Sequence, residues 1–172
     1  MLETDCRSGL SNGNVLTHAQ AHLILSTARD IQRLLQGETM SLVEVKESYS
    51  RCCVNPKFFD VFYANFLASH PTIAPMFAKT DMAKQKSLLR QGVSMMFMHL
   101  GGNGVGTTGI DRIGESHSKK KMNIDPNLYG FWIDSLVKSV KECDEKLTPT
   151  LETEWRKTLR TGVDRIVSFY NK

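Results

Sequence analysis

The sequence is short of the features that mark membrane, sheet, metal-thiolate and nucleic-acid proteins. None of its apolar runs approaches the roughly 20 residues that a membrane-spanning helix needs. No segment alternates polar and apolar residues with period two, as a half-buried strand would. The N-terminal stretch MLETDCRSGLSNGN has no apolar signal core. Cysteine is limited to Cys6, Cys52, Cys53 and Cys143, with no CxxC spacing, and the adjacent Cys52 and Cys53 cannot easily bridge each other. The expectation is free thiols in a reducing compartment, hence a cytoplasmic protein with no membrane association. Charge of one sign is also modest. Against 18 acidic residues stand 22 Lys and Arg, a net +4. No basic face emerges, which argues against a nucleic-acid partner. The densest basic run, Lys119–Lys121, reads as a solvated loop.

What remains is a helical pattern in a chain of 172 residues, enough for one domain with a real core. Residues 1–16 are rich in Ser, Gly and Asn and are expected to be a disordered tail. Residues 17–37 carry Leu23, Ile24, Ala28, Ile31 and Leu35 near one face, an N-terminal helix closed by Gly37. A second helix starts near Ser41 and runs through Val45 and Tyr49 to about Cys53, before Asn55-Pro56. The next places Phe59, Phe62, Tyr63, Phe66 and Leu67 on one stripe and stops before Pro71. A short turn, Pro71 to Phe77, follows. Thr80 or Asp81 caps a helix bearing Gln85, Leu89, Val93 and Met96, and Gly101-Gly102-Asn103-Gly104 ends it. A short helix from about Thr107 to Ser118 bears Ile110, Ile113 and His117. Asp125-Pro126 and Thr148-Pro149 are two start signals, each a capping side chain followed by a proline. The first opens a helix with Tyr129, Trp132, Leu136, Val140 and Cys143 on one face. The second opens a helix carrying Leu151, Trp155, Leu159, Val163, Ile166 and Tyr170. The fold class is therefore all-α, with seven or eight helices.

Few residues are obvious chemical candidates. The glycines of GGNGVGTTG lack the GK[ST] ending of a phosphate loop and follow a helix, so they read as a connector. His18 and His22 have metal-gripping i, i+4 spacing but no third ligand nearby, and read as surface residues. His70 precedes a proline at a helix end, and His99 closes a long helix, where a cation suits the helix dipole. His117 ends a short helix one turn beyond Ile113. A haem iron needs a neutral imidazole aimed across an apolar pocket, yet a lone histidine is more often structural.

Relations between segments carry further. The stretch FYANFLASHPTIAPMF, residues 62–77, resembles the globin segment that leads to the invariant phenylalanine beside the haem. Phe77 takes that place. Gln85 then matches the distal position, one turn before the apolar distal residue Leu89. IGESHSKKKMNIDPNLYGFW resembles the proximal helix and the start of the next, with His117 as the proximal ligand. The resemblance covers about residues 40–171 and implies a globin fold, a three-over-three helical sandwich, over residues 40–172, with the helix at 17–37 as an addition. It implies haem b (iron protoporphyrin IX), with Phe77, Gln85, Leu89, Ile113, Tyr129 and Trp132 around it and His117 on the iron.

Within the globins the sequence is most similar to bacterial flavohaemoglobins and their single-domain relatives. Tyr63 and Gln85 fall where those proteins carry a distal tyrosine and glutamine. Bound dioxygen carries partial negative charge, and each hydrogen bond to it is worth ~1 kcal/mol. The competing role for Tyr63 is a buried tyrosine bonded to a backbone carbonyl. On the proximal side Tyr129 matches the tyrosine that supports the ligand histidine. The glutamate that polarises that histidine is replaced by Thr153, two residues before Trp155, and its loss weakens the electron push to iron. The resemblance implies reversible binding of dioxygen, nitric oxide or carbon monoxide, and nitric oxide oxidation given a separate reductase, since no reductase domain follows. The alternative is a haem-based gas or redox sensor acting through a partner or dimer, motivated by the extra helix. The state expected is a monomer or homodimer.

Overall fold

Capping groups and prolines set the helix boundaries, and the structure, a computed structural model, describes Thr17 and residues 40–172. The expected tail at 1–16 and helix at 17–37, with Cys6, His18 and His22, otherwise lie outside the described residues. Seven α-helices and no strands make up the described part. They are α1 (Met40–Val54), α2 (Phe58–Ser69), α3 (Ile73–Met76), α4 (Met82–Leu100), α5 (Gly104–His117), α6 (Leu128–Cys143) and α7 (Pro149–Val167). None is long and apolar enough to cross a membrane.

Of the two candidate caps before α4, Asp81 is the one used. Its carboxylate accepts from the backbone N–H groups of Ala83 and Lys84. Thr148 caps α7 by accepting from Leu151 N–H, with Pro149 in the first turn. Four boundaries differ from expectation. The turn after Pro71 contains one helical turn, α3. Helix α5 starts at Gly104 and not near Thr107, because Asn103 caps Val105 and Gly106 from within the glycine-rich stretch. Asp125 spends its carboxylate on Asn127 N–H at 2.9 Å, which closes a turn and delays α6 to Leu128. Helix α7 ends at Val167, so Tyr170 lies in the turn beyond, its hydroxyl donating to Asn123 at 2.9 Å.

The helices pack pairwise: α4 on α5, α2 on α6, and α7 against α1, α4, α5 and α6. Trp155, Phe58, Phe62, Ile73, Ile110 and Leu136 are fully buried. Close approach of α4 and α5 depends on Gly106. A Cβ there would lie 2.5 Å from Met98 Cβ and 2.7 Å from the Met98 carbonyl carbon, where backbone cannot yield. The described cysteines, Cys52, Cys53 and Cys143, are free thiols.

One polar network ties the far side of the bundle together. Trp155 Nε1 donates to Ser48 Oγ at 2.9 Å, and Ser48 donates to Asp144 Oδ2 at 2.6 Å. Arg51 grips the same carboxylate in a fork, at 2.8 and 2.7 Å. The guanidinium holds the Asp144 carboxyl below the usual value of 3.8, against the opposing effect of burial. Asp144 thereby joins α1 to the end of α6 and, through Trp155, to α7.

Asp144→Ala would leave Ser48, Trp155 and Arg51 short of a partner. Arg51 keeps about a third of its side chain exposed and is partly solvated. Urea unfolding should therefore register a loss of about 2–4 kcal/mol, less than for a wholly buried pair. Because the folded carboxyl titrates below its unfolded value of ~3.9, this contribution is present above that pH. It fades as pH falls through the folded value, so the gap between wild type and variant should close in acid. A second check lies at the α4–α5 crossing: Gly106→Ala should cost about 1–3 kcal/mol by overpacking. Gly104→Ala, whose new Cβ would meet nothing within 4 Å, should cost nothing measurable.

Candidate functional site

A cavity of about 520 Å3 is lined by residues of every described helix except α1. That volume lies in the range of small-molecule and cofactor sites. Helix α2 supplies a wall of rings. Phe62 stacks on Phe66 at 5.4 Å, meets Tyr63 edge-on at 4.9 Å, and Phe77 closes the row at 5.9 Å from Tyr63. Opposite stand Ile113 and His117 of α5, with Tyr129 and Trp132 of α6 beside them. Gln85 and Leu89 line the cavity from α4, one turn apart. All the residues singled out from sequence, Tyr63, Phe77, Gln85, Leu89, Ile113, His117, Tyr129 and Trp132, thus meet around one space. The structure adds Met95 and Met96 from α4, Ile124 from the loop after α5, and Val163 and Ile166 from α7. Their signal in the sequence was only that of core residues. The mouth is rimmed by the exposed Met76, Leu88 and Met122.

His117 has the most constrained imidazole. Its Nδ1 lies 2.8 Å from the backbone oxygen of Ile113. A carbonyl can only accept, so Nδ1 carries the proton. Ser116 Oγ sits 3.0 Å from the same nitrogen and donates its own proton to Ile113 O at 2.8 Å. Burial pushes the imidazole below its usual value of 6.5, and the bond to Ile113 opposes this only in part. The ring is therefore neutral near pH 7. Its other nitrogen, Nε2, keeps a lone pair and has no hydrogen-bond partner among the described residues.

The other histidines are engaged elsewhere. His70 Nδ1 pairs with Thr72 Oγ1 at 2.8 Å and its ring packs on Phe131 at 4.8 Å. His99 Nδ1 pairs with Thr107 Oγ1 at 2.9 Å. Among the described residues no group of three or more His, Cys, Asp or Glu could hold a bare metal ion. A metal in this cavity would take one protein ligand and the rest of its coordination from a cofactor.

Tyr63 donates its phenolic proton to the backbone oxygen of Gln85 at 3.3 Å. Burial raises the phenol to about 12, and the Gln85 side chain opposes that rise. Tyr129 is likewise raised to about 12 by burial. No hydrogen bond joins it to His117, whose ring nitrogens are accounted for above. Thr153 lies on an exposed part of α7, its hydroxyl returned to Pro149 O at 3.0 Å. The residues of α7 that reach the cavity are Val163 and Ile166, ten or more positions on, or ~15 Å along the helix. Thr153, which takes the place of a glutamate in the resemblance, is thus far from the cavity lining.

A protein of Pseudomonas aeruginosa PAO1, described from its crystal structure as structurally highly homologous to a human hemoglobin, matches this arrangement. The two are 38% identical with a TM-score of 0.74, over 77% of this chain and 99% of the other. This chain belongs to the globin family. Its fold is the globin fold, and the cavity between α4 and α5 lies in the body of that fold. No protein-family profile matches the sequence, and no curated protein does. The globin was legible by the order of its segments, not by any one motif.

Proposed function

We propose that this globin binds haem b in the cavity, with His117 Nε2 as the protein ligand to iron, and reversibly binds dioxygen and related diatomic gases there. The observation that carries this is the state of His117: neutral, protonated on Nδ1 by its bond to Ile113, with the free nitrogen on an apolar cavity. That donor set fits a haem iron, which takes one neutral imidazole from the protein. Bound haem would supply an iron with an open coordination position at which a small gas can bind and leave. The chain's own residues do the rest. Phe77, Leu89, Ile113 and Trp132 give the flat apolar walls that exclude water. Gln85 and Tyr63 are the polar groups on the distal side: the Gln85 amide can offer a hydrogen bond into the cavity, and Tyr63 can do so when its hydroxyl turns from the Gln85 backbone oxygen. Ser116 and Ile113 fix the rotation of the imidazole.

Neutral partners on the proximal side favour reversible binding over oxidative turnover. A carboxylate hydrogen-bonded to the imidazole raises its basicity toward the metal. Here the partners of Nδ1 are a carbonyl and a hydroxyl. Oxidation of nitric oxide to nitrate would in addition draw an electron from a separate reductase.

Purified protein supplied with haem should develop a Soret band, and its ferrous form should give distinct dioxygen and carbon monoxide spectra. His117→Ala should lose roughly 100-fold or more in haem affinity, since supporting groups alone cost 10–100-fold at metal sites. Added free imidazole should recover the ferrous spectrum. Wild-type protein that stays colourless with haem supplied refutes the proposal.

A further inference from the structure

The mouth of the cavity carries charge of one sign. Met76, Leu88 and Met122 stand on its rim, 45%, 58% and 60% exposed. Exposed apolar side chains are ordinary singly, but these three surround one opening and form a patch. The chain segments that supply them, residues 71–92 and 116–124, contain a single acid, Asp81. Its carboxylate caps α4, and it also meets Lys84 Nζ at 3.6 Å. Of the cations in these segments, Lys86 and Arg90 turn to α2, where they meet Asp60 and the Phe59 ring. Lys79, Lys119, Lys120 and Lys121 are exposed and make no ion pair among the described residues. Their chain neighbours place them at the rim. Lys79 lies between Phe77 and Thr80, both in the lining, and Lys121 adjoins Met122. Lys84 precedes Leu88 by one turn on the same face of α4. The backbone of the lysine loop is tied down. Lys119 N–H donates to Tyr170 O at 3.0 Å, and the N–H groups of Lys121 and Asn123 both donate to Ser118 O, at 3.0 and 2.9 Å.

We propose that this rim docks an acidic electron-carrier protein, one holding a flavin or an iron–sulfur centre. The inference rests on the haem proposal above. Reversible gas binding needs ferrous iron, so a site that has been oxidised must be given one electron. That electron leaves the carrier's centre, which is oxidised, and turns the ferric protein ferrous. No atom or proton moves with it. An opening ringed by one sign of charge speeds the encounter with a partner of opposite charge. Electron-transfer encounters are a small class of interface, below ~1,200 Å2 in total. Three apolar side chains within a ring of Lys79, Lys84, Lys119, Lys120 and Lys121 suit that size. Two of the three are methionines, whose flexible thioethers adapt to an irregular partner surface. A lipid surface fits less well. The cations come from a loop, a turn and the first turn of α4, and not from one face of an amphipathic helix.

The probe is a plant-type ferredoxin, a small acidic protein that carries one electron on a two-iron cluster. Its binding to the full chain without haem, followed by fluorescence anisotropy, should weaken roughly 10-fold or more between about 20 mM and about 300 mM salt. The triple change Lys119→Glu, Lys120→Glu and Lys121→Glu should weaken it roughly 10-fold at low salt and flatten the salt dependence. Lys57→Glu, Lys138→Glu and Lys146→Glu together alter net charge equally at exposed positions that do not line the cavity. That control should cost less than about 2-fold. On haem-loaded protein without dioxygen, the rate at which reduced ferredoxin turns the ferric spectrum ferrous should fall in the same order. Equal losses in the two triple variants would mean that net charge alone attracts the probe, which overturns the inference, as does binding indifferent to salt. Retention on vesicles of phosphatidylglycerol and phosphatidylcholine, lost in the rim variant, with no binding of ferredoxin, assigns the rim to a membrane and overturns it too. Wild type without a Soret band overturns the haem proposal. A Soret band without rim-dependent ferredoxin binding overturns this inference alone.

Discussion

A cavity of about 520 Å3 in a domain of this size is the constraint around which the rest is arranged. Closed and dry, such a space would cost on the order of 10 kcal/mol by the coefficient for buried cavities. That is comparable with the whole stability of an ordinary domain. The walls must therefore resist collapse, and the mouth must let a filling group in. Both are visible. Rings that meet edge-on or stacked, from Phe62 through Tyr63, Phe66 and Phe77, form a wall with few alternative packings. The rim of Met76, Leu88 and Met122 is apolar and unbranched at two of its three positions.

Stiffness behind the wall comes from contacts on the far side of the bundle and at the helix crossings. The Trp155–Ser48–Asp144–Arg51 network binds α1, α6 and α7 on the far side. Gly106 lets α4 and α5 approach until backbone meets backbone. Gly162 does the same for α7 against the Met96 side chain, and Gly114 for α5 against Phe169. Because α5 is seated on both α4 and α7, the end of α5 that carries His117 has little freedom to shift. A nitrogen that is to hold a metal, as proposed for His117, needs its direction set in advance.

The sequence carried the inner surface of this site better than its support. Periodicity put Phe62, Tyr63 and Phe66 on one face of α2, and Ile113 and His117 on one face of α5, and these faces do meet. The resemblance to globins placed Phe77, Gln85 and Leu89 opposite. Long-range polar pairs were out of reach. Ser48 and Asp144 are 96 residues apart and Trp155 is 107 from Ser48, and nothing local in either segment announces the other. The start of α5 was hidden for another reason: Asn103 sits among glycines, so its capping role was masked by their signal for a turn. At Asp125-Pro126 the local rule held, but it built a turn before the helix and not the helix itself.

Val163 and Ile166 were read from the sequence only as core positions on the last helix, and they are the residues of that helix that reach the cavity. Thr153, aligned through Trp155, lies two and a half turns or more before them along α7, on an exposed face. Imidazole basicity depends on what accepts the Nδ1 proton. A carboxylate would share that proton strongly. The Ile113 carbonyl shares it weakly, and it already accepts a second proton from Ser116. Each bond to one oxygen draws on the same electron density, so the two donors weaken each other. The imidazole at this site is thus a moderate donor by construction. Under the haem proposal, a moderate donor suits a gas that leaves as intact as it arrived.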